Sequence, residues 1–309
     1  MEIRLYFDEG PGSDDIRKMI QSLVTSTAER VGVDIGCIRI VGIATEETYG
    51  TAVNEMFPGS GYTDNSGYTG VGKTESRITP TGLEHRILFH VFVPGVILRG
   101  FSAFGENFAD WPADLLIGLF IIAHELGHCK HSEISPRDID EINDLRSRAD
   151  DFDVMNDHQF GVLVGEVSAC FFGDRYYTEA LFRYACKEDL SPLVKTWTAL
   201  QNAKKSNLID DVAYYANGLS WVYTIQFAKI VTSTIGTVLF DVPIQPPAEL
   251  SSFFPVHNLL SHAVSDFCKS GLTDLASFRE HIDLARESIL KHLKVDIRIE
   301  NGHWAYFWD

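Results

Sequence analysis

The sequence predicts an α+β fold, and three observations support this prediction. Residues 16–31 have apolar side chains at helical spacing, whereas residues 35–44 (IGCIRIVGIA) are rich in the β-branched residues that suit a strand. Residues 86–93 (RILFHVFV) form a second segment of strong strand propensity. From Trp111 onward the pattern becomes mainly helical.

The segments between these elements follow from their turn-forming residues. Residues 58–82 are rich in Gly, Ser and Thr and are predicted to form a long loop. Pro94 and Gly95 are expected to close the strand at 86–93. Asp110 precedes Trp111 and Pro112 and predicts the start of a helix. We therefore expect an N-terminal α/β part over residues 1–110 and a mainly helical part over 111–309, packed as one catalytic unit.

The composition excludes several classes of function. The 309 residues contain 26 Lys and Arg against 43 Asp and Glu, a formal charge of -17 that argues against nucleic-acid binding. Membrane insertion is not expected, because the apolar run at 115–123 is far shorter than the roughly 20 residues of a spanning helix, and polar residues interrupt 212–240. The first ten residues do not resemble a secretory signal. Five cysteines without paired spacing suggest reduced thiols, so we expect a cytoplasmic protein.

The strongest chemical signal is the HExxH motif, which runs from His124 to His128. Residues four apart lie on one face of a helix, so both imidazoles can reach one metal ion. Glu125 is then the candidate general base for a water molecule activated by Zn²⁺. Gly127 would allow another part of the chain to approach this helix closely.

A catalytic zinc site usually has a third protein ligand. His131 is a poor candidate, because it lies about 10 Å along the helix axis from His124. The extended HExxHxxGxxH pattern is also absent, since residue 134 is Ile. Two downstream acidic residues remain as candidates, Asp150 and Glu166.

A resemblance to the gluzincin zinc peptidases favours Glu166, with Asp150 kept as the alternative. In thermolysin-like members, a second helix with the pattern ExxSDxFG supplies the third ligand. This sequence has Glu166 at the first position and Phe172-Gly173 at the end, with Ala169 in place of Ser and Cys170 in place of Asp. The resemblance implies Glu166 as the third zinc ligand. It also implies a zincin-like fold, with an N-terminal mixed sheet over an active-site helix and a mainly helical C-terminal part.

Cys170 is the main departure from the family pattern. The Asp at this position supports a zinc-ligating His, and a thiol is a poorer hydrogen-bond acceptor for that purpose. Asp150, Asp151 or Asp174 could supply the missing carboxylate, and Cys170 as a direct ligand is a further alternative.

The family also suggests roles for other parts of the chain. An edge strand before the HExxH helix binds substrate through its main chain, a role open to residues 86–93, which could equally form an interior strand. A donor for the oxyanion is required. The candidates are His257, His262, Tyr176, Tyr177, Tyr214 and Tyr215. A more distant resemblance to Lit-type phage-exclusion peptidases rests on HExxH before a helical half.

These observations predict a zinc-dependent endopeptidase acting on a protein or peptide substrate. One alternative is a non-catalytic zinc-binding regulatory protein with a degenerate zincin site. Another is a P-loop NTPase, because residues 67–74 (GYTGVGKT) match GxxxxGK[ST]. The flanking sequence opposes the P-loop interpretation, since no apolar strand precedes the match and Pro80 and Gly82 disfavour a following helix. The sequence does not indicate an oligomeric state.

Overall fold

The fold is given by a computed structural model. The structure describes residues 1–8, 10, 12–58, 72–101, 112–135, 152–173, 198–199, 202–203, 205–208, 254–293, 295–300 and 303–308.

The described elements follow one another in a mixed order of helices and strands. They are β1 (Glu2–Tyr6), α1 (Ser13–Val31), a 3₁₀ turn (Ile35–Cys37), β2 (Ile38–Ala44), α2 (Glu46–Met56), β3 (Gly72–Thr79), β4 (Gly82–His90), α3 (Phe92–Phe101), α4 (Ala113–Ile134), α5 (Phe152–Phe172), α6 (Phe254–Lys269), α7 (Leu275–Leu293), β5 (Val295–Glu300) and β6 (His303–Trp308).

The chain forms two compact units, which divide within α5. One unit contains Met1–Asp144 with Ser168–Cys186, and the other contains Leu145–Val167 with Lys187–Asp309. The predicted boundary at residue 110 lies outside the described residues, so that division of the chain stays a prediction.

The first unit is built on a four-stranded mixed sheet in the order β1-β2-β4-β3. Strand β2 is parallel to both of its neighbours, β1 and β4, whereas β3 is antiparallel to β4. This mixed sheet with several helices confirms the predicted α+β class. Strand β4 pairs with β2 on one side and with β3 on the other. Of the two alternatives left open for residues 86–93, the structure therefore shows the interior strand and excludes the edge strand. Among the described strands, β3 forms the edge of the sheet next to β4.

Helices cover both faces of the sheet, because strand β2 presents apolar side chains to each face. Its side chains alternate between the faces, as the two-residue period of a strand requires. Val41 and Ile43 pack into the larger core with α1, α3 and α4, whereas Ile40 and Ala44 pack into a smaller core with α2. The larger core holds the start of α4 against the sheet.

Several predicted elements are confirmed. The helix predicted at 16–31 corresponds to α1, which extends from Ser13 to Val31. The strand predicted at 35–44 begins at Ile38, after the 3₁₀ turn. The helix expected after Asp110 is α4, and Pro112 is its N-cap residue.

Two predictions are wrong, the extent of the loop at 58–82 and the end of the strand at 86–93. Residues 72–79 form β3, not a loop, because they pair along their whole length with β4 through a two-residue connection. The other residues of the predicted loop that lie before this strand, 59–71, are outside the described part. The strand at 86–93 ends at His90, and Phe92 begins α3. Pro94 lies in the first turn of α3, where a missing N–H costs no helical hydrogen bond.

The second unit contains helices and a terminal hairpin. Phe267 and Phe278 stack with their ring centroids 4.3 Å apart, and Phe160 of α5 lies 5.7 Å from Phe278. The antiparallel strands β5 and β6 follow α7, so the part predicted as mainly helical also includes a hairpin. Across the described helices of both units, none is long and apolar enough to cross a membrane. Residues 212–240 lie outside the described part.

Candidate metal site

Helix α4 carries the HExxH motif and is held in place by an apolar stripe. Leu115, Leu119, Ile122 and Leu126 recur at helical spacing and are at most 3% exposed. The two motif histidines lie on a different face of the helix. The rings of His124 and His128 are perpendicular, with their centroids 4.8 Å apart. The i, i+4 spacing therefore brings both imidazoles together, as the motif predicts.

Helix α5 approaches α4 at the centre of the motif. A Cβ added to Gly127 would collide with the carbonyl oxygen of Ala169 and would lie 2.8 Å from its Cα. The predicted close approach at Gly127 is therefore confirmed, and the neighbour is the backbone of α5. At Gly173, which follows the end of this helix, an added Cβ would lie 3.3 Å from the carbonyl oxygen of Ala123, a tight but less severe approach.

The approach of α5 completes a cluster of three candidate ligands. His124, His128 and Glu166 each offer one ligand atom, and these atoms lie within 4.8 Å of one another. All three side chains are partly buried. The third candidate ligand predicted from the sequence is therefore the one that joins the histidines, while Asp150 lies outside the described residues.

The donor set suits a divalent metal ion. Two imidazoles and one carboxylate are the ligands of many zinc sites, with bond lengths near 2.0–2.2 Å. Ligand atoms arranged tetrahedrally around such an ion lie about 3.4 Å apart, so small movements of the side chains would close the cluster around it. The cluster could hold a metal ion, and its donors do not by themselves select zinc.

Cys170 contacts the cluster from one turn beyond Glu166. Its Sγ lies 3.5 Å from Nδ1 of His124, and the residue is 3% exposed. The residue that stands in place of the Asp of the gluzincin-like sequence pattern therefore lies beside His124. Asp151 and Asp174, proposed from the sequence as substitutes, lie outside the described part, as does Asp150.

Glu125 lies beside the edge strand. It is 6% exposed, and a Cβ added to Gly72 of β3 would lie 2.6 Å from its Oε1. Thr74 donates a hydrogen bond from Oγ1 to the backbone oxygen of Glu125 at 3.2 Å. These contacts with β3 were not predicted, because residues 72–79 were expected to form a loop. The alternation of small residues at 72, 74 and 76 is the sequence signal that could have indicated them.

Cys129 and His131, which follow the HExxH motif on α4, are not in the cluster. Cys129 is fully buried in the larger apolar core, and this burial raises the pKa of its thiol well above the usual value. The thiol therefore stays protonated, consistent with the expected position away from the metal. His131 lies in the last turn of α4 and is not one of the three clustered residues.

Of the candidate oxyanion donors, the structure describes the side chain of His262 alone. His262 is exposed on α6, and the side chain of His257 lies outside the described part. The four candidate tyrosines at positions 176, 177, 214 and 215 also lie outside it. The residue that would stabilise the oxyanion therefore stays a prediction.

The structure opposes a P-loop at residues 67–74. A P-loop leads into a helix whose N-terminus receives the phosphates. Gly72, Lys73 and Thr74 instead begin strand β3, and Nζ of Lys73 lies 5.3 Å from the centroid of the Phe57 ring. Residues 67–71 lie outside the described part.

Comparisons with protein-family models, with curated proteins and with solved structures found no match for this chain.

Proposed function

We propose that the protein is a zinc-dependent endopeptidase with a zincin-like, gluzincin-type site. The observation that carries this proposal is the cluster of His124, His128 and Glu166, with Glu125 next to the first ligand on the same helix. In this arrangement the ligands come from two helices, α4 and α5. The candidate base, Glu125, lies between His124 and His128 in the sequence.

Each residue of the site has a definite task in this proposal. His124, His128 and Glu166 hold the metal ion. When bound, the ion acidifies water and polarises the carbonyl of the scissile peptide bond. The Glu125 carboxylate accepts a proton from the attacking water and later delivers it to the nitrogen of the leaving amine.

The edge strand supports a peptide substrate over other substrates of metal-dependent hydrolysis. β3 has a partner on one side only among the described strands, and it lies beside Glu125. A free strand edge can bind an extended peptide through main-chain hydrogen bonds. Because β4 is interior, we propose that β3, and not residues 86–93, binds the main chain of the substrate.

The second candidate is a non-catalytic metal-binding regulatory protein. The observation that favours it is the contact of Cys170 with His124, since sulfur is a weaker acceptor than the carboxylate it replaces. Such a protein would bind a metal ion without cleaving peptides.

One experiment separates the two candidates. The purified protein, loaded with Zn²⁺, is assayed for metal content and for cleavage of unfolded protein and peptide libraries. We expect Glu125→Gln to keep the metal and lose about 10²–10⁴-fold in kcat, since general base catalysis contributes this much. Glu166→Ala is expected to lose the metal, and Asp150→Ala serves as its control.

The possible results have distinct meanings. Cleavage at the parent rate by Glu125→Gln would reject the proposed mechanism. Metal binding by a parent protein that cleaves no substrate would favour the regulatory candidate. Loss of metal in Asp150→Ala, with metal kept in Glu166→Ala, would reject Glu166 as the third ligand.

A further inference from the structure

Three small residues lie on the face of β3 that contacts α4. Gly72, Thr74 and Ser76 alternate along the strand and therefore share one face. Thr74 bonds to the backbone of α4, and Ser76 Oγ lies 2.8 Å from Nδ1 of the buried His85. Small side chains on this face allow the strand and the helix to approach closely.

Gly72 is the closest of these residues to the catalytic motif. A Cβ at this position would lie 2.6 Å from Oε1, 2.9 Å from Cδ and 2.9 Å from Cγ of Glu125. Carbon atoms do not approach this closely, so the whole distal part of the Glu125 side chain would have to move. Gly72 is paired with Phe89 in a regular antiparallel ladder, and its φ is not among the positive values of the chain. The glycine is therefore required for space and not for backbone conformation.

The same strand also fixes the backbone that carries Glu125. The hydrogen bond from Thr74 Oγ1 to the Glu125 carbonyl ties the helix to β3 two residues after Gly72. The Glu125 side chain is 6% exposed, so it has little solvent space into which it could move. Its carboxylate is thus bounded by the strand on one side and held by its helix on the other.

We propose that Gly72 is a positioning residue for the general base. Its bare Cα leaves the space in which the Glu125 carboxylate lies, so that the edge strand sets the direction of the carboxylate. The catalytic part of this inference rests on the proposed peptidase function, whereas the steric part does not. Any side chain at position 72 would displace the carboxylate while leaving the three metal ligands in place.

The test compares Gly72→Ala with Gly95→Ala in the full chain loaded with Zn²⁺. Gly95 lies in α3 and has no neighbour within 4 Å of an added Cβ, so it is a matched control. We expect Gly72→Ala to lower kcat about 10²-fold, the usual cost of misplacing a reacting group by about 1 Å. KM should stay within about twofold, zinc content should be unchanged, and Gly95→Ala should keep the parent kinetics. Parent kinetics in Gly72→Ala would overturn the proposal.

A second measurement tests the steric contact without any assay of cleavage. Gly72→Ala is made in the parent and in a Glu125→Ala background, and Tm is measured for all four proteins. We expect the substitution to lower Tm by about 5 °C in the parent and by less than half of that in the second background. Equal shifts in both backgrounds would overturn the proposal.

The two measurements separate the inference from the proposed function. If the parent cleaves no peptide, the proposed function fails, and the four Tm values still decide whether Gly72 positions Glu125. If Gly72→Ala fails to fold, recovery of folding in the double variant supports the contact. Failure of the double variant as well, with Glu125→Ala folded, would assign Gly72 a different role and overturn the proposal.

Discussion

Helix α4 meets two different neighbours, the strand β3 on one side and the helix α5 on the other. On the α5 side, contacts with Glu166 and Cys170 are made through side chains that can bind or orient a metal ligand. On the β3 side, the Glu125 side chain lies where a Cβ at position 72 would reach, and Thr74 donates a hydrogen bond to the Glu125 carbonyl. A glycine allows the close approach on both sides. On the β3 side it is Gly72 of the strand, and on the α5 side it is Gly127 of α4 itself.

This difference corresponds to two separate tasks proposed for the site, binding of the metal ion and positioning of Glu125. A metal ligand must come from a side chain with a donor atom, so α5 needs specific residue types at its positions 166 and 170. Glu125, the proposed general base, would need an open and well-defined space, which a strand backbone without a side chain provides. Substitutions on the α5 side should therefore change metal binding. Those on the β3 side should change the position of the Glu125 carboxylate or the stability of the strand.

The largest expected effect is on the α5 side, in Gly127→Ala. An Ala in a helix interior is intrinsically favoured over Gly by about 1 kcal/mol. Here its Cβ would collide with the backbone of Ala169, which cannot rotate away as a side chain can. We therefore expect the free energy of unfolding to fall by about 3 kcal/mol or more, with loss of zinc, as measured by denaturant titration and metal analysis.

Gly118→Ala is the matched control on the same helix. An added Cβ there would lie 2.7 Å from Cγ2 of Val96, a side-chain atom, and no closer than 3.3 Å to the nearest backbone atom, the carbonyl oxygen of Val93. We expect about half of the cost of Gly127→Ala and no loss of metal. Equal costs for the two variants would show that α5 can move away from α4, and that the close packing on this side is not needed.

A smaller effect is expected from Cys170, which should change metal affinity without changing the fold. If the Nδ1–H of His124 donates to the sulfur, Nε2 is left to bind the metal. We expect Cys170→Ala to weaken zinc affinity about tenfold and Cys170→Asp to strengthen it about tenfold, since carboxylates are better acceptors. Competition with a chromophoric chelator measures both constants.

Cys268→Ala removes another buried thiol and serves as the control for general effects of thiol loss. Its zinc affinity should equal that of the parent. Unchanged affinity in Cys170→Ala would mean that the sulfur does not orient His124. A sulfur-to-metal charge-transfer band in the Co²⁺-loaded parent, lost in Cys170→Ala, would instead identify Cys170 as a direct ligand.

The α5 side of the site could be predicted in part from helical spacing and in part from the resemblance to gluzincins. The i, i+4 spacing of His124 and His128 fixes their common face, and the resemblance of residues 166–173 to the gluzincin pattern indicated Glu166. Helical spacing predicted α1, β-branched residues predicted β2, and the residues before Ala113 predicted the start of α4. A helix carries its own pattern over many residues, so its presence can be inferred without knowledge of its partners.

The β3 side was not predictable, because its signals are local and polar. The segment GKTESRIT has no alternation of apolar and polar residues, and its two faces differ in size and charge instead. The small residues at 72, 74 and 76 indicate a face suited to close packing, but nothing in them identifies Glu125, 53 positions further along the chain, as the neighbour. The terminal hairpin was missed for another reason: Asn301-Gly302 separates two strand-like runs and is a strong hairpin signal that the helical expectation overrode.

The smallest expected effect tests the β3 side through His85. This side chain is fully buried on β4, with Ser76 of β3 at Nδ1 and Glu133 of α4 3.7 Å from Nε2. Burial lowers the pKa of His85, and the nearby carboxylates of Glu133 and Asp34 oppose this shift only in part.

The sign of the pH dependence follows from that lowered pKa. The unfolded chain takes up the proton as the pH falls through about 6.5, while the folded protein does not, so acidification favours unfolding. We expect the parent to lose its advantage in free energy of unfolding over His85→Gln between pH 7.5 and 5, by less than the 1.4 kcal/mol per pH unit that one proton allows. Urea titrations at several pH values measure this difference. A difference that grows on acidification would mean that His85 is charged in the folded protein and pairs with Glu133, so that β4 and α4 are joined by an ion pair and not by a neutral contact.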